Sequence, residues 1–169
     1  IACCLVGSEM CIRDSIRAVQ ISGVLNRILD LSIDYANTRT QFGRPIGKFQ
    51  AVQHMIAGMA NQVAVAQAAV GSGARTLDEG SRIKAAGVAK QIAASAAGEV
   101  ARIAHQVFGA IGVTEEHELH HLTRRLWQWR QDEGSDQYWS EVLGGELINA
   151  GGSQFWPALV GEWQGLETV

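Results

Sequence analysis

The chain has 169 residues and a formal net charge of −3, with 47% hydrophobic and 18% charged residues. That is about one domain of polypeptide with enough apolar side chains for a sizeable core, which excludes intrinsic disorder. The mildly acidic balance gives no support to a nucleic-acid partner, and no apolar run reaches the roughly 18 residues of a membrane span. The only prolines are Pro45 and Pro157, aromatic residues make up 7%, and the stretch between the prolines is rich in alanine. An all-α protein is the expectation.

All three cysteines, Cys3, Cys4 and Cys11, lie within residues 1–15. That segment lacks the charged start and the apolar length of a secretory signal, and its cysteines lack zinc spacing. Met10-Cys11-Ile12-Arg13-Asp14-Ser15 resembles translated sequencing-adapter text of the kind met at the broken ends of metagenomic gene fragments. The expected organisation is a non-native segment 1–15, a helical bundle over 16–150, and a tail over 151–169 that packs only partly. A cysteine-free remainder suits a reducing, cytoplasmic setting.

Apolar residues recur from Ile16 through Val19, Val24, Leu25, Ile28, Leu29, Leu31, Ile33 and Tyr35 at close to the helical period. The spacing predicts a helix to about Thr40, stopped by Gly43-Arg44-Pro45. A second helix is predicted from Gln50, carrying Val52, Met55, Ile56, Met59, Val63 and Val70 until Gly71-Ser72-Gly73. A third runs from about Ser81 to the bend Gly109-Ala110-Ile111-Gly112, and its many alanines imply close approach of its neighbours. Shorter helices fit His117 to Trp129 and Asp136 to about Leu147. No strand pattern or internal repeat is evident. Long antiparallel helices on short loops predict a four-helix up-and-down bundle with a short extra helix.

The most specific segment is Tyr35-Ala36-Asn37-Thr38-Arg39-Thr40-Gln41-Phe42-Gly43-Arg44-Pro45-Ile46-Gly47-Lys48-Phe49-Gln50. It sets the Arg39 guanidinium at the foot of a long helix, where it either complements the helix dipole or forks onto a diphosphate. Gln106-Val107-Phe108-Gly109-Ala110-Ile111-Gly112 offers accessible main chain, either to end a helix or to meet a phosphate or ribose. Together these segments resemble the C-terminal helical domain of the acyl-CoA dehydrogenase family, over about Ile16 to Gly145. Ala110 stands where the family has a second glycine.

The resemblance implies FAD at a dimer interface, with this domain contacting the adenosine diphosphate half bound mainly by the other subunit. Arg39 is then placed on the pyrophosphate, Phe42 against the cofactor, and Gln50, Gln106, Val107, Phe108, Gly109 and Ala110 at the adenosine end. It further implies a dimer of dimers, homomeric or heteromeric, and electron-transfer flavoprotein as the acceptor. The family removes an α-proton from an acyl-CoA thioester while hydride leaves the β-carbon, and many members place the base nine residues after an arginine. Nine residues after Arg124 stands Glu133, in Gln131-Asp132-Glu133-Gly134-Ser135-Asp136-Gln137. The resemblance makes Glu133 the base, sets Gly134 beside the thioester and puts Ser135 and Gln137 near the flavin. Asp132 replaces the family's aromatic and Ser135 its threonine. Other members carry the glutamate on the first helix, at a register falling on Arg13, and some subunits lack a base and pair with a catalytic partner.

Alternatives from other classes remain at this stage. Glu118-Leu119-His120-His121 has the Glu-x-x-His spacing of di-metal bundles, but no second such motif accompanies it, so no metal ligand is assigned. A helical interaction module is the other. A C-terminal fragment of this kind, without the domains that hold most of the flavin, is expected to be inactive alone.

Overall fold

A computed structural model of the chain describes residues 2–75 and 79–154. Among the described residues five α-helices account for the fold: α1 over Ala2–Thr38, α2 over Gln50–Arg75, α3 over Glu79–Phe108, α4 over Leu119–Gln131 and α5 over Asp136–Ala150. α3 packs against all four others, and α1 also meets α2 and α4. The first four helices make the expected up-and-down bundle, and α5 is the extra helix, laid on α3.

Each helix buries the stripe that its period dictates. On α1 the covered stripe includes Asp14, Ala18, Ile21, Leu25, Ile28, Ser32 and Ala36, three or four residues apart. Two of the apolar positions fall outside the stripe: Val19 and Ile33 face outward, while Ala18 and Ser32 take contact positions beside Ile21, Leu25 and Ile28. The Ser32 hydroxyl is satisfied by donating to the Ile28 carbonyl at 2.7 Å. α2 covers Met59, Val63 and Ala66, and α4 covers Leu119, Thr123 and Leu126. On α3, Ala86, Ala89, Ala93, Ala94, Ala96, Ala97, Ala101 and Ala104 are all buried, the close-approach surface expected of an alanine-rich helix.

Boundaries differ from the sequence reading in five places. α1 runs without a break across residue 16, and both Cys11 and Asp14 are buried in the bundle. Gly71 and Gly73 lie inside α2 rather than ending it. The expectation of no strand is corrected by a minimal antiparallel pair, β1 over Thr40–Gln41 and β2 over Arg44–Pro45. α4 begins at Leu119 and α5 extends to Ala150. Of the expected tail, only Gly151 and the 3-10 turn Gly152–Gln154 fall among the described residues.

Candidate functional site

The chain leaving α1 reverses at Phe42 and Gly43, with φ of 53° and 79°. A two-residue loop with both residues left-handed suits a tightly twisted hairpin, and Gly43 adopts that conformation freely. Phe42 does not, and its ring is 93% exposed, edge-on to Phe49 at 6.2 Å. A strained, outward-facing aromatic gains little within the chain beyond that edge contact. Beside it Arg44 lies over Phe49, 4.2 Å from the ring centre. Arg39 and Gln50 are both exposed at the hairpin's base.

One turn before Arg39, Tyr35 stacks on Phe108 with ring centres 4.3 Å apart. Its hydroxyl donates to the Phe108 carbonyl at 3.5 Å. The foot of α1 and the foot of α3 are thereby pinned together, so the Arg39 hairpin and the Gly109 bend share one end of the bundle. Gly109 has φ of 63°, and a Cβ built there meets nothing within 4 Å among the described residues, so its main chain is open to a ligand. Gln106, Gly109 and Ala110 are exposed, whereas the Val107 and Phe108 side chains turn into the core. These last two can offer a ligand only their backbone.

The loop after α4 lies at the other end. About 36 Å of helix axis separates Asp14, level with this loop, from Thr38 at about 1.5 Å per residue. Glu133 occupies a left-handed conformation with φ of 60°, and its side chain keeps 28% of its surface open. Its carboxylate is 3.7 Å from the Arg13 guanidinium. The two register positions that the family resemblance marks for the base thus face each other. Gly134 is buried; its N–H donates to Asp14 Oδ1 at 3.0 Å and its carbonyl accepts from Lys90 at 2.6 Å. Ser135 caps α5, its Oγ accepting from the Tyr138 N–H at 3.1 Å. Gln137 donates to Glu141 at 3.0 Å.

Behind this loop lies a polar cluster that the sequence reading missed. Asp14 and Lys90 are both fully buried, 3.9 Å apart. Asp14 also accepts from the Trp139 indole N–H at 3.0 Å. Burial pushes the Asp14 carboxyl up from the ordinary carboxylate value, against the Gly134, Lys90 and Trp139 contacts that pull it down. Burial likewise pushes the Lys90 ammonium down, opposed by Asp14, Asp132 and Asp136. Arg17 reaches Asp132 at 3.2 Å, and Arg130 clasps Asp136 through two nitrogens. A signal for Lys90 existed: it shares a helical face with Ala86, Ala93 and Ala97, where a lysine is out of place. Asp14 was hidden by its place in the discounted segment.

The Glu118-x-x-His121 motif is otherwise engaged. Glu118 pairs with Arg27 at 2.7 Å, and the His120 and His121 rings meet at a 40° tilt with centres 3.8 Å apart. Among the described residues no three His, Cys, Asp or Glu side chains could hold a metal ion, and no helix is long and apolar enough to cross a membrane.

Comparison with known proteins gives this geometry its context. Residues 14–146 match the family model described as acyl-CoA dehydrogenase, C-terminal domain. The acyl-CoA dehydrogenase FadE34 of Mycobacterium tuberculosis is 40% identical over 114 residues, which are 66% of this chain and 16% of that protein. The crystal structure of the ChsE4–ChsE5 complex of the same organism superposes with a TM-score of 0.78 at 29% identity, covering 82% of this chain and 38% of the other. The butyryl-CoA dehydrogenase of Megasphaera elsdenii gives 0.75 at 30% identity, covering 80% of this chain and 36% of that one. The chain therefore spans little more than a third of the solved relatives, and a smaller share of FadE34. Fold, motif register and family model agree: the chain belongs to the acyl-CoA dehydrogenase family, whose C-terminal helical domain it contains.

Proposed function

We propose that this chain supplies the C-terminal helical part of a flavin-dependent acyl-CoA dehydrogenase and acts at both ends of its bundle. The observation that carries this reading is the pinning of the Arg39 hairpin to the Gly109 bend. It brings an exposed guanidinium, a strained exposed aromatic and open main chain to one surface. Those groups fit a dinucleotide: the guanidinium forks onto the diphosphate, Phe42 covers a ring, and Gln50, Gln106, Gly109 and Ala110 meet the adenosine end. Val107 and Phe108 contribute backbone there.

FAD, when bound, supplies the acceptor for the hydride that leaves the substrate's β-carbon. At the loop end, a Glu133 carboxylate oxygen takes the α-proton of the acyl-CoA, and the Gly134 main chain lies against the thioester. Ser135 and Gln137 face the flavin, with Ser135 also holding the first turn of α5 in place. A carboxylate is an effective base toward such a weak acid only when water is kept away. In this chain alone the Glu133 side chain is partly open, so the enclosing surfaces belong to substrate and to neighbouring domains. The separation between the two ends exceeds a dinucleotide's reach. The loop end therefore serves the flavin of its own subunit, and the hairpin end serves that of a partner within a dimer of dimers, with electron-transfer flavoprotein as the onward acceptor.

The test is flavin content and turnover in the complete reading frame. Arg39→Ala is expected to yield protein with less than a third of the flavin absorbance per chain. Full occupancy would remove Arg39 from the cofactor site. Glu133→Gln is expected to lower acyl-CoA turnover at least 1,000-fold. A second reading, a base-free subunit beside a catalytic paralogue, draws on the Arg13 contact to Glu133 and on the heteromeric ChsE4–ChsE5 neighbour. Retained turnover in Glu133→Gln would favour it.

A further inference from the structure

The last carbonyls of a helix lack intrahelical partners, and a loop following it must find donors for them. After α4 one side chain provides them. The Lys90 ammonium donates to the carbonyls of Gly134 at 2.6 Å and Asp132 at 3.0 Å, and reaches that of Arg130 at 3.4 Å. Lys90 comes from the middle of α3, where its side chain is 0% exposed, so nothing from solvent competes for these bonds. An ammonium has three protons and no acceptor capacity, which matches three converging carbonyls.

The residue enclosed by this grip is Glu133. The carbonyls of Asp132 and Gly134 flank it, and its own backbone is left-handed, a conformation that side chains other than glycine seldom adopt. A free loop would relax from it and carry the carboxylate elsewhere. We infer that Lys90 is a positioning residue: by gathering the carbonyls on both sides of Glu133, its ammonium holds that residue left-handed and fixes where its carboxylate is presented. The tether joins α3 to the α4–α5 loop and lies wholly within 16–150. Asp14 holds the same loop from the other side, accepting from the Gly134 N–H at 3.0 Å, with its carboxylate 3.9 Å from the ammonium. The catalytic meaning rests on Glu133 being the base; the loop geometry does not.

Nuclear magnetic resonance on the 169-residue chain tests the tether directly. The Lys90 ammonium is expected to exchange slowly with water and to show coupling through the hydrogen bonds to the carbonyl carbons of Asp132 and Gly134. A rapidly exchanging ammonium would overturn the inference without any variant being needed. In Lys90→Met, amide exchange at Glu133, Gly134 and Ser135 is expected to rise at least tenfold over any rise at Ile28 and Val63. A uniform rise across the bundle would reduce Lys90 to an ordinary stabilising residue. In the complete flavoprotein, Lys90→Met is expected to lower kcat tenfold or more with KM for the acyl-CoA unchanged. Unchanged kcat beside a loosened loop would sink the positioning role. Full turnover in Glu133→Gln would sink the base reading instead and leave the tether standing.

Discussion

Trp139 shows how much of the loop's placement rests on absent side chains. Its indole is buried between α3 and the α4–α5 loop, and a Cβ built at either Gly87 or Gly134 would overlap it. The ring cannot swing away without giving up the Nε1 bond to Asp14. Gly87→Ala sets two effects against each other: alanine gains about 1 kcal/mol of helix propensity, while overpacking costs about 1–3 kcal/mol. Because the obstacle is a tethered ring rather than a flexible chain end, overpacking wins, and a net loss of about 1–2 kcal/mol is expected in urea unfolding. Unchanged or greater stability would show that Trp139 is not fixed there. His105 gives a residue-scale prediction in pH. Thr123 donates to the His120 carbonyl at 3.3 Å, so the 3.1 Å contact from His105 Nε2 is a donation to Thr123 Oγ1. Nδ1 is then a buried lone pair without a partner among the described residues, and burial holds the ring's pKa below the ordinary histidine value. The unfolded chain takes the proton first, so this contribution is intact above about pH 6.5 and lost progressively as the pH falls below it. Thermal unfolding of wild type and His105→Gln between pH 7.5 and 5.5 should show a shallower acid loss in the variant; parallel curves would refute the assignment.

The short hairpin after α1 behaves as an element held ready for something outside the chain. A left-handed Phe42 costs about 1–2 kcal/mol relative to a relaxed residue, and no burial of its ring offsets that. Phe42→Gly removes the strain but adds about 0.5–1 kcal/mol of chain entropy to be lost on folding. The isolated chain should therefore be unchanged or up to about 1 kcal/mol more stable in the variant, while the complete flavoprotein holds its flavin less tightly. A clear loss of stability in the isolated chain would mean the ring packs where the structure leaves it exposed. The hairpin also marks where sequence reasoning ran out. The long helices were legible because each buries a stripe repeated over many turns, and the alanine face of α3 announced its close neighbours. β1 and β2 are two residues each, too short to leave any period. The Arg39 and Gly109 segments stood out through their density of glycine, aromatic and guanidinium, yet only the Tyr35–Phe108 stack, which joins residues far apart in sequence, shows that they share an end. Lys90 was legible only as a lysine out of place on an alanine face. Its meaning lies in three carbonyls of another element, and an isolated lysine otherwise reads as solvated surface.

At the scale of the molecule, the bundle acts as a spacer between two unlike surfaces. α1 and α3 are continuous rods, joined at one end by Tyr35 on Phe108 and near the other through Gly134, whose N–H donates to Asp14 on α1 and whose carbonyl accepts from Lys90 on α3. Neither joint contains a residue proposed to touch a ligand through its side chain, so changes at one end have no packed partner through which to disturb the other. Sites this far apart with no shared contact act additively to within about 0.5 kcal/mol. The prediction is a separation of readouts in the complete flavoprotein. Arg39→Ala should lower flavin content while turnover per bound flavin stays within twofold of wild type. Glu133→Gln should abolish turnover while flavin content is retained, and the double variant should show both losses at their single-variant size. Coupling between the two would mean that the ends communicate, through the rods or through the partner's flavin, and a rigid spacer would no longer describe the bundle. The isolated chain supplies the control. It spans little more than a third of the solved relatives, and it is expected to neither retain FAD on gel filtration nor reduce an artificial electron acceptor with any acyl-CoA.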